Sequence, residues 1–333
     1  MVLMILLSII HLAAKMVINS QLTLGMFMSV LYIVGQLNGP IEQFIGLIHT
    51  VQDAAISLER LSEIHNKEDE EPAGVMKIHR LPDKVHDIIV DHLTFRYKGT
   101  SISTLTDLCL TIPANKLTAI VGASGSGKTT LLKLLLKFYE PEQGTIKIGS
   151  CNLRHISQEL WRACCGVVMQ EGYIFNDTIA NNIALGVDRI DRKKLLYAAE
   201  VAHIENFIEH LPLAYNTKIG SEGMGISTGQ KQRILIARAV YKDPQFLCFD
   251  EATSALDSQS ESIIMGNLAQ FFKRRTAVVI AHRLSTVKTA DQIVVLGKGK
   301  ILEQGTHQEL LKQQGSYYHL VKNQLALEQI QTV

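Results

Sequence analysis

The first 58 residues of this 333-residue chain contain almost no charge. Only Lys15, Glu42 and Asp53 are ionisable acids or bases of the Asp/Glu/Lys/Arg kind there, where the chain-wide share of 20% would place about twelve. A basic excess is also missing: 33 Lys+Arg stand against 32 Asp+Glu, a formal net charge of +1. That balance excludes the extended positive groove that nucleic-acid binding needs. The five cysteines show no paired CxxC spacing, and Cys164 and Cys165 are adjacent. An odd count of this kind is not a disulfide framework, and the cysteines are expected to be small buried hydrophobes in a reducing compartment. Internal repeats and low-complexity tracts are absent. What remains is plentiful apolar material, 47% of residues with a mean hydropathy of +0.13, too much for a disordered chain. The length suggests about two domains.

The charge-poor stretch divides into two apolar runs. Met1 to Ala14 is interrupted only by Ser8 and His11, and continues through Lys15 to Val17-Ile18. Asn19-Ser20-Gln21 is a short polar turn. The second run starts near Leu24, meets Gly39-Pro40, where a kink is expected, and continues through Ile41, Phe44, Ile45, Leu47, Ile48, Val51, Ala55, Leu58 and Leu61 at helical spacing. A helix from about 23 to 64 would be roughly 60 Å long, longer than a bilayer is thick, so its second half should project as a stalk. A signal peptide is disfavoured because no basic residue precedes the first run. A buried helical hairpin of a soluble protein stays open as an alternative, and two membrane segments are preferred. Lys15 lies near the end of its segment, where snorkelling to the interface accounts for it better than a place in a pathway.

Asn66-Lys67-Glu68-Asp69-Glu70-Glu71-Pro72-Ala73-Gly74 is a charged, helix-breaking connector. After it, short β-rich runs alternate with helical patterns. Leu117-Thr118-Ala119-Ile120-Val121 is an apolar strand, and Gly122-Ala123-Ser124-Gly125-Ser126-Gly127-Lys128-Thr129-Thr130 follows, leading into a helix at Leu131–Leu136. Strand, GxxxxGK[ST] loop and helix together form a phosphate-binding unit. The glycines let backbone N–H groups wrap phosphate oxygens, and the helix adds the positive end of its dipole. Lys128 suits the β- and γ-phosphates and Thr129 a Mg²⁺ ion. Phe246-Leu247-Cys248-Phe249-Asp250-Glu251 is an apolar strand ending in two carboxylates. Asp250 suits Mg²⁺, and Glu251 suits a general base for the attacking water.

Ile226-Ser227-Thr228-Gly229-Gln230, followed by Lys231 to Ala239, has the form of a capped helix. It also resembles the LSGGQ signature of ABC transporters. With Gln170 after the strand Gly166–Met169, Ser254-Ala255-Leu256-Asp257 after Glu251, and His282 after the strand Ala277–Ala281, residues 87–325 resemble an ABC nucleotide-binding domain. The fold this implies is α/β: a P-loop NTPase cassette, with a mixed-sheet core and a helical signature subdomain, preceded by an all-α transmembrane remnant. The domains expected are residues 1–64, the last two helices of an exporter membrane domain; 65–86, a linker; 87–325, the cassette; and 326–333, a tail. The resemblance implies roles. Tyr97 stacks on adenine. Gln170 contacts Mg²⁺ and senses the transport domain, and His282 contacts the γ-phosphate. Ser227 and Gly229, with Gln230, serve the ATP held by a partner subunit, and Asp257 communicates across the dimer. ATP and Mg²⁺ are the implied ligands, and a second half-transporter, a homodimer, is the implied partner.

Three departures stand out. Ile226 replaces Leu. Thr228 replaces the first Gly of the pair, where its Cβ either crowds a phosphate or supplies another hydroxyl. Thr217–Gly223 stands where exporters carry a TEVGERG-like segment, with its glutamates moved, so no coupling role passes to Glu222. At the N-terminus, Val17–Gly25, Pro40-Ile41 and Ser57-Leu58-Glu59-Arg60-Leu61 resemble the last membrane helices of exporters, nearest to the bacterial peptide, bacteriocin and toxin group, many of which carry a cysteine-peptidase domain. The implied function is the ATP-hydrolysing motor of a peptide or protein exporter in the inner membrane, its ATPase domain cytoplasmic. A lipid or drug exporter subunit, or a soluble ABC ATPase, are the alternatives. Such exporters have six membrane helices per half, so a fragment, a split gene or a truncated gene is expected, and the chain alone is not expected to transport.

Overall fold

In the computed structural model, all residues are described except 1, 68–69, 72–76, 82–85, 222, 253–255, 282 and 332–333. The chain divides into two compact units, Met1–Ala73 and Gly74–Val333.

The first unit is helical: α1 spans Val2–Ile18 and α2 spans Leu24–His65. The polar turn between them is tied back by the Gln21 N–H donating to the Met16 carbonyl, and Ser20 takes φ 59°. The Thr23 hydroxyl accepts from the Met26 N–H at the start of α2. Along α2 the hydroxyls of Ser29, Thr50 and Ser57 donate to the carbonyl four residues back, which hides them from an apolar surrounding. Leu6, Ala13 and Val34 are buried, whereas Met28, Tyr32, Ile33, Phe44 and Leu47 are exposed. Large apolar side chains facing outward on a long helix are the inverse of a water-soluble surface. The expected kink does not end α2, and the helix continues across Pro40. Among the described residues, α2 is the one helix long and apolar enough, by length and composition, to cross a bilayer. α1, at 17 residues, is apolar but falls below the roughly 20 that a span takes.

The second unit is built on two large sheets and a third of only two strands. The strands are β1 (Ile88–Phe95), β2 (Leu105–Ile112), β3 (Leu117–Val121), β4 (Gln143–Ile148), β5 (Cys151–Asn152), β6 (Cys165–Val168), β7 (Asp177–Thr178), β8 (Lys218–Ile219), β9 (Phe246–Asp250), β10 (Thr276–Ile280), β11 (Gln292–Gly297) and β12 (Lys300–Gly305). A six-stranded sheet runs β12-β11-β3-β10-β9-β6, parallel except for β12, and an antiparallel sheet runs β2-β1-β4-β5. Every residue of β3, β9 and β10 is buried, as expected of parallel strands covered on both faces. Their side chains alternate between two cores. Ala119, Leu247, Phe249, Ala277 and Val279 face one. Ile120, Phe246, Cys248, Val278 and Ile280 face the other.

The helices of this unit include α3 (Lys128–Leu135), α4 (Gln158–Cys164), α5 (Ile179–Ile183), α6 (Arg192–Val201), α7 (Glu205–Glu209), α8 (Thr228–Tyr241) and α9 (Ser258–Phe272). The first core takes in α5, α6, α8 and α9, and the second takes in α3, Trp161 and the antiparallel sheet. The helix at Ser316–Gln331 runs on into the stretch expected to be a tail. The cysteines meet the expectation of burial in part. Cys165 and Cys248 are buried, Cys151 and Cys164 are half-buried, and Cys109 is exposed. Burial pushes the Cys248 thiol up to about 12.

Candidate nucleotide site

Parallel pairing aligns the carboxyl ends of β6, β9, β10 and β3, with Val168 opposite Phe249, Asp250 opposite Ile280 and Ile280 opposite Ile120. The loops that leave this edge therefore share one crevice, the usual ligand position in an open α/β sheet. The phosphate loop leaves β3, the Asp250-Glu251 pair ends β9, and Gln170 lies exposed just past β6.

The loop's backbone takes values that only glycine accepts easily: φ 152° at Gly122, 75° at Gly125 and 102° at Gly127. At Gly122 a Cβ would sit 2.1 Å from the Leu296 carbonyl oxygen, and at Gly127 it would sit 2.6 Å from Leu105 Cδ2. Gly122→Ala is expected to destabilise the domain by on the order of 3 kcal/mol, from strained backbone and overpacking together. In a thermal melt this lowers Tm by roughly 6–12 °C. An unchanged melting curve would show that the loop relaxes around the methyl group.

Gly127 caps α3, and Lys128 opens it. The Lys128 ammonium is buried and donates to the Gly122 carbonyl at 2.9 Å and the Ala123 carbonyl at 3.0 Å. Burial lowers its pKa, against the opposing pull of Glu251 and Asp250. The three charged groups are thus within electrostatic reach of one another. Asp250 is buried at the end of β9. Glu251 is half-buried and held in the left-handed region at φ 50°. Its N–H donates to the Ile280 carbonyl, and its carbonyl accepts from Gln232 Nε2 at 3.0 Å. The Ser126 hydroxyl is buried with no hydrogen-bond partner among the described residues.

Tyr97 is tied to the same helix. Its hydroxyl lies 3.1 Å from Thr130 Oγ1, and its ring meets Phe95 and Tyr139 edge-on at 5.0 and 5.3 Å. Sequence reasoning did not find Tyr139, because nothing in the local pattern announces that ring contact.

Ser227 caps α8. Its hydroxyl accepts from the Gln230 N–H while Gln230 Oε1 accepts from the Ser227 N–H, a reciprocal capping box. Thr228 is the first helical residue, exposed, and not among the positive-φ residues. Its Cβ therefore costs no backbone strain, and its hydroxyl stands at the amino end of a 14-residue helix beside Gly229. Asp257 caps α9, with its carboxylate accepting from the Ser260 N–H at 2.8 Å. That bond, ahead of the weaker pull of Arg233, holds its pKa below the usual range. Arg233 on α8 lies 3.6 Å from Asp257 and bonds Ser260 Oγ at 2.6 Å. Arg233 was missed as a link between the signature helix and the Asp257 turn. Arg283 pairs with buried Glu261 and reaches the Leu256 carbonyl at 3.2 Å. Glu222, Ser254, Ala255 and His282, with the γ-phosphate contact expected of His282, fall outside the described residues.

A phosphate loop, a buried Asp with Glu following, and a capped signature helix on a six-stranded parallel-centred sheet define a P-loop ATP-binding cassette. Residues 105–254 match the model of the ABC transporter family, and the chain carries an ATP-binding domain of that family. It is 42% identical over 308 residues to the toxin RTX-I translocation ATP-binding protein of Actinobacillus pleuropneumoniae, a match covering 92% of this chain and 43% of that protein. To the alpha-hemolysin translocation ATP-binding protein HlyB of Escherichia coli it is 41% identical over 307 residues, covering 92% and 43%. A solved bacterial Atm1-family ABC exporter with ATP bound superposes with a TM-score of 0.75 at 35% identity, covering 92% of this chain and 53% of the other. The chain thus spans less than half the length of these curated relatives.

Proposed function

We propose that the chain is the ATP-binding and hydrolysing motor part of an ABC exporter whose cargo is a protein or peptide. One observation carries this reading. The glycine-shaped loop holds Lys128 within electrostatic reach of Asp250 and Glu251 at the carboxyl edge of the sheet, in a chain that also bears a membrane-length apolar helix. The names of the toxin-translocating relatives support a protein cargo.

In this reading, adenine stacks on Tyr97, which Tyr139 and Phe95 brace. Backbone N–H groups of Gly122–Thr130 and the Lys128 ammonium hold the phosphates, and the Ser126 hydroxyl gains a partner there. The donor set fits Mg²⁺: Thr129, Gln170 and Asp250 offer the hard oxygen ligands that this cation prefers. Bound there, Mg²⁺ would neutralise charge on the phosphate oxygens. Glu251 accepts a proton from the attacking water, and His282 holds the γ-phosphate. Ser227, Thr228 and Gly229, with Gln230 fixing the cap, meet the ATP of a second copy, so one chain makes half of each site. Asp257 and Arg233 lie next to that junction on the same chain. The exposed Tyr173–Phe175 pair, with Arg238 stacked 5.6 Å over Phe175, supplies the surface near Gln170 on which a membrane domain would rest. The setting is the inner membrane, with the cassette in the cytoplasm.

The test is kinetic. Because each site needs two chains, ATP turnover per chain should rise with chain concentration before levelling off, and a detergent-purified chain should form ATP-dependent dimers in sedimentation. Turnover independent of concentration, with a monomer throughout, would overturn the shared-site reading.

A further inference from the structure

On the open face of the antiparallel sheet, away from the phosphate loop in sequence and role, three different metal-ligating side chains converge. Asp91, His92 and Cys109 each offer a ligand atom within 4.8 Å of the others, and all three are solvent-facing. A regular strand would send Asp91 and His92 to opposite faces. Here the β1–β2 register slips between Val90↔Leu110 and Leu93↔Leu108, so that two residues oppose Cys109 alone. The β1–β4 register slips at the same place, between Asp91 and Thr94. His92 takes φ 48° and Asp107 φ 52°. The bulge turns both side chains outward, with 49% of Asp91 and 71% of His92 exposed. Bulges commonly serve to re-aim a side chain in this way.

The groups behind the three donors are also arranged. Asp107 lies 2.6 Å from His92 Nδ1, which leaves Nε2 on the Asp91 side, 4.0 Å from Asp91 Oδ1. A carboxylate on the far nitrogen is the arrangement that orients metal-bound histidines. Lys147 sits 3.6 Å from Asp91 Oδ2, so the other carboxylate oxygen is the one presented to His92. The His92 backbone N–H donates to Cys109 Sγ at 3.4 Å, which holds the sulfur beside the bulge. Cys109 stands between buried Leu108 and Leu110, so its direction is fixed by the strand.

We propose that Asp91, His92 and Cys109, oriented by Asp107, form a binding site for a divalent cation of the zinc type, with one open position. Thiolate, imidazole and carboxylate are the donors that Zn²⁺ takes. Bonds of about 2.0–2.3 Å to a tetrahedral centre place donors about 3.3–3.8 Å apart, so the exposed side chains must close in by about 1 Å. The bound ion would clamp β1 to β2 at the bulge. Mg²⁺, which prefers all-oxygen octahedra, is excluded by the same donors.

Cobalt(II) is the probe, added to the purified full chain and followed by absorption. The expected result is one Co²⁺ per chain with a thiolate-to-cobalt charge-transfer band that Zn²⁺ displaces. Cys109→Ser should abolish the band. Asp107→Asn should keep the band and weaken Co²⁺ binding about 10–100-fold, the usual cost of losing an orienting partner. ATP turnover should be unchanged in both variants, which separates this site from the nucleotide site. A wild-type chain with no band, or a band that survives Cys109→Ser, overturns the proposal.

Discussion

Glu251→Gln is expected to cut ATP turnover at least ~100-fold while leaving ATP binding intact, the lower end of what a positioned acid–base group contributes. The substitution keeps the size and planarity of the side chain and removes its basicity. The backbone around it is held through the Glu251 N–H on the Ile280 carbonyl and the Glu251 carbonyl on Gln232 Nε2, two bonds made by backbone atoms that the substitution keeps. Holding a non-glycine residue at φ 50° costs about 1–3 kcal/mol, and such strain clusters at functional sites. Asp250 is buried, whereas Glu251 remains half-open to the crevice, so of the two carboxylates Glu251 is the one a water can approach. Turnover and nucleotide affinity should be measured on the same preparation. Full hydrolysis in the variant removes Glu251 from the role of base. Lost affinity instead makes it a binding residue, acting through its field on Lys128.

The site was legible in the sequence to the degree that its chemistry is local. Gly122 to Thr130 encode their own conformation, since glycines are required where φ is positive and Lys128 follows at the helix start. The order β9 then Asp250-Glu251 is equally local, because the apolar run Phe246–Phe249 forms the buried strand and the acids stand at its end. Contacts that join distant segments left no mark. Tyr139 against Tyr97, Gln232 on the Glu251 carbonyl and Arg233 between α8 and Asp257 depend on how helices pack, not on any spacing along the chain. The same holds for the bulge at Asp91-His92. Its alternation β-strand reading predicts opposite faces, and only pairing with both β2 and β4 reveals the slip. Cys109 was judged by residue type, and its exposure follows from strand phase instead. In the helical unit, hydropathy located both helices and the close of the first at Ile18, where the Asn19–Gln21 turn follows.

Lys128→Ala should lower ATP affinity by roughly 100-fold, the scale of one or two charge-assisted hydrogen bonds at about 1.5–3 kcal/mol each. The ammonium has two tasks that the structure makes visible. It closes the loop on itself through the Gly122 and Ala123 carbonyls, and it is the positive group that Asp250 and Glu251 face. With alanine the two carbonyls lose their donor, and both carboxylates lose their counter-charge just where a polyphosphate brings more negative charge. Binding therefore weakens from two directions. Lys128→Arg separates them, because it keeps the charge but carries a planar fork in place of a compact ammonium. In a space lined by two carbonyls at 2.9 and 3.0 Å, the larger head cannot reproduce both bonds, and affinity should recover only in part. Equilibrium titration with ATP and a thermal melt should be run together on each variant. Unchanged affinity in Lys128→Ala would mean that the loop's backbone N–H groups bind phosphate unaided. A collapsed melt would mean that the ammonium's first task, holding Gly122 and Ala123, outweighs its second.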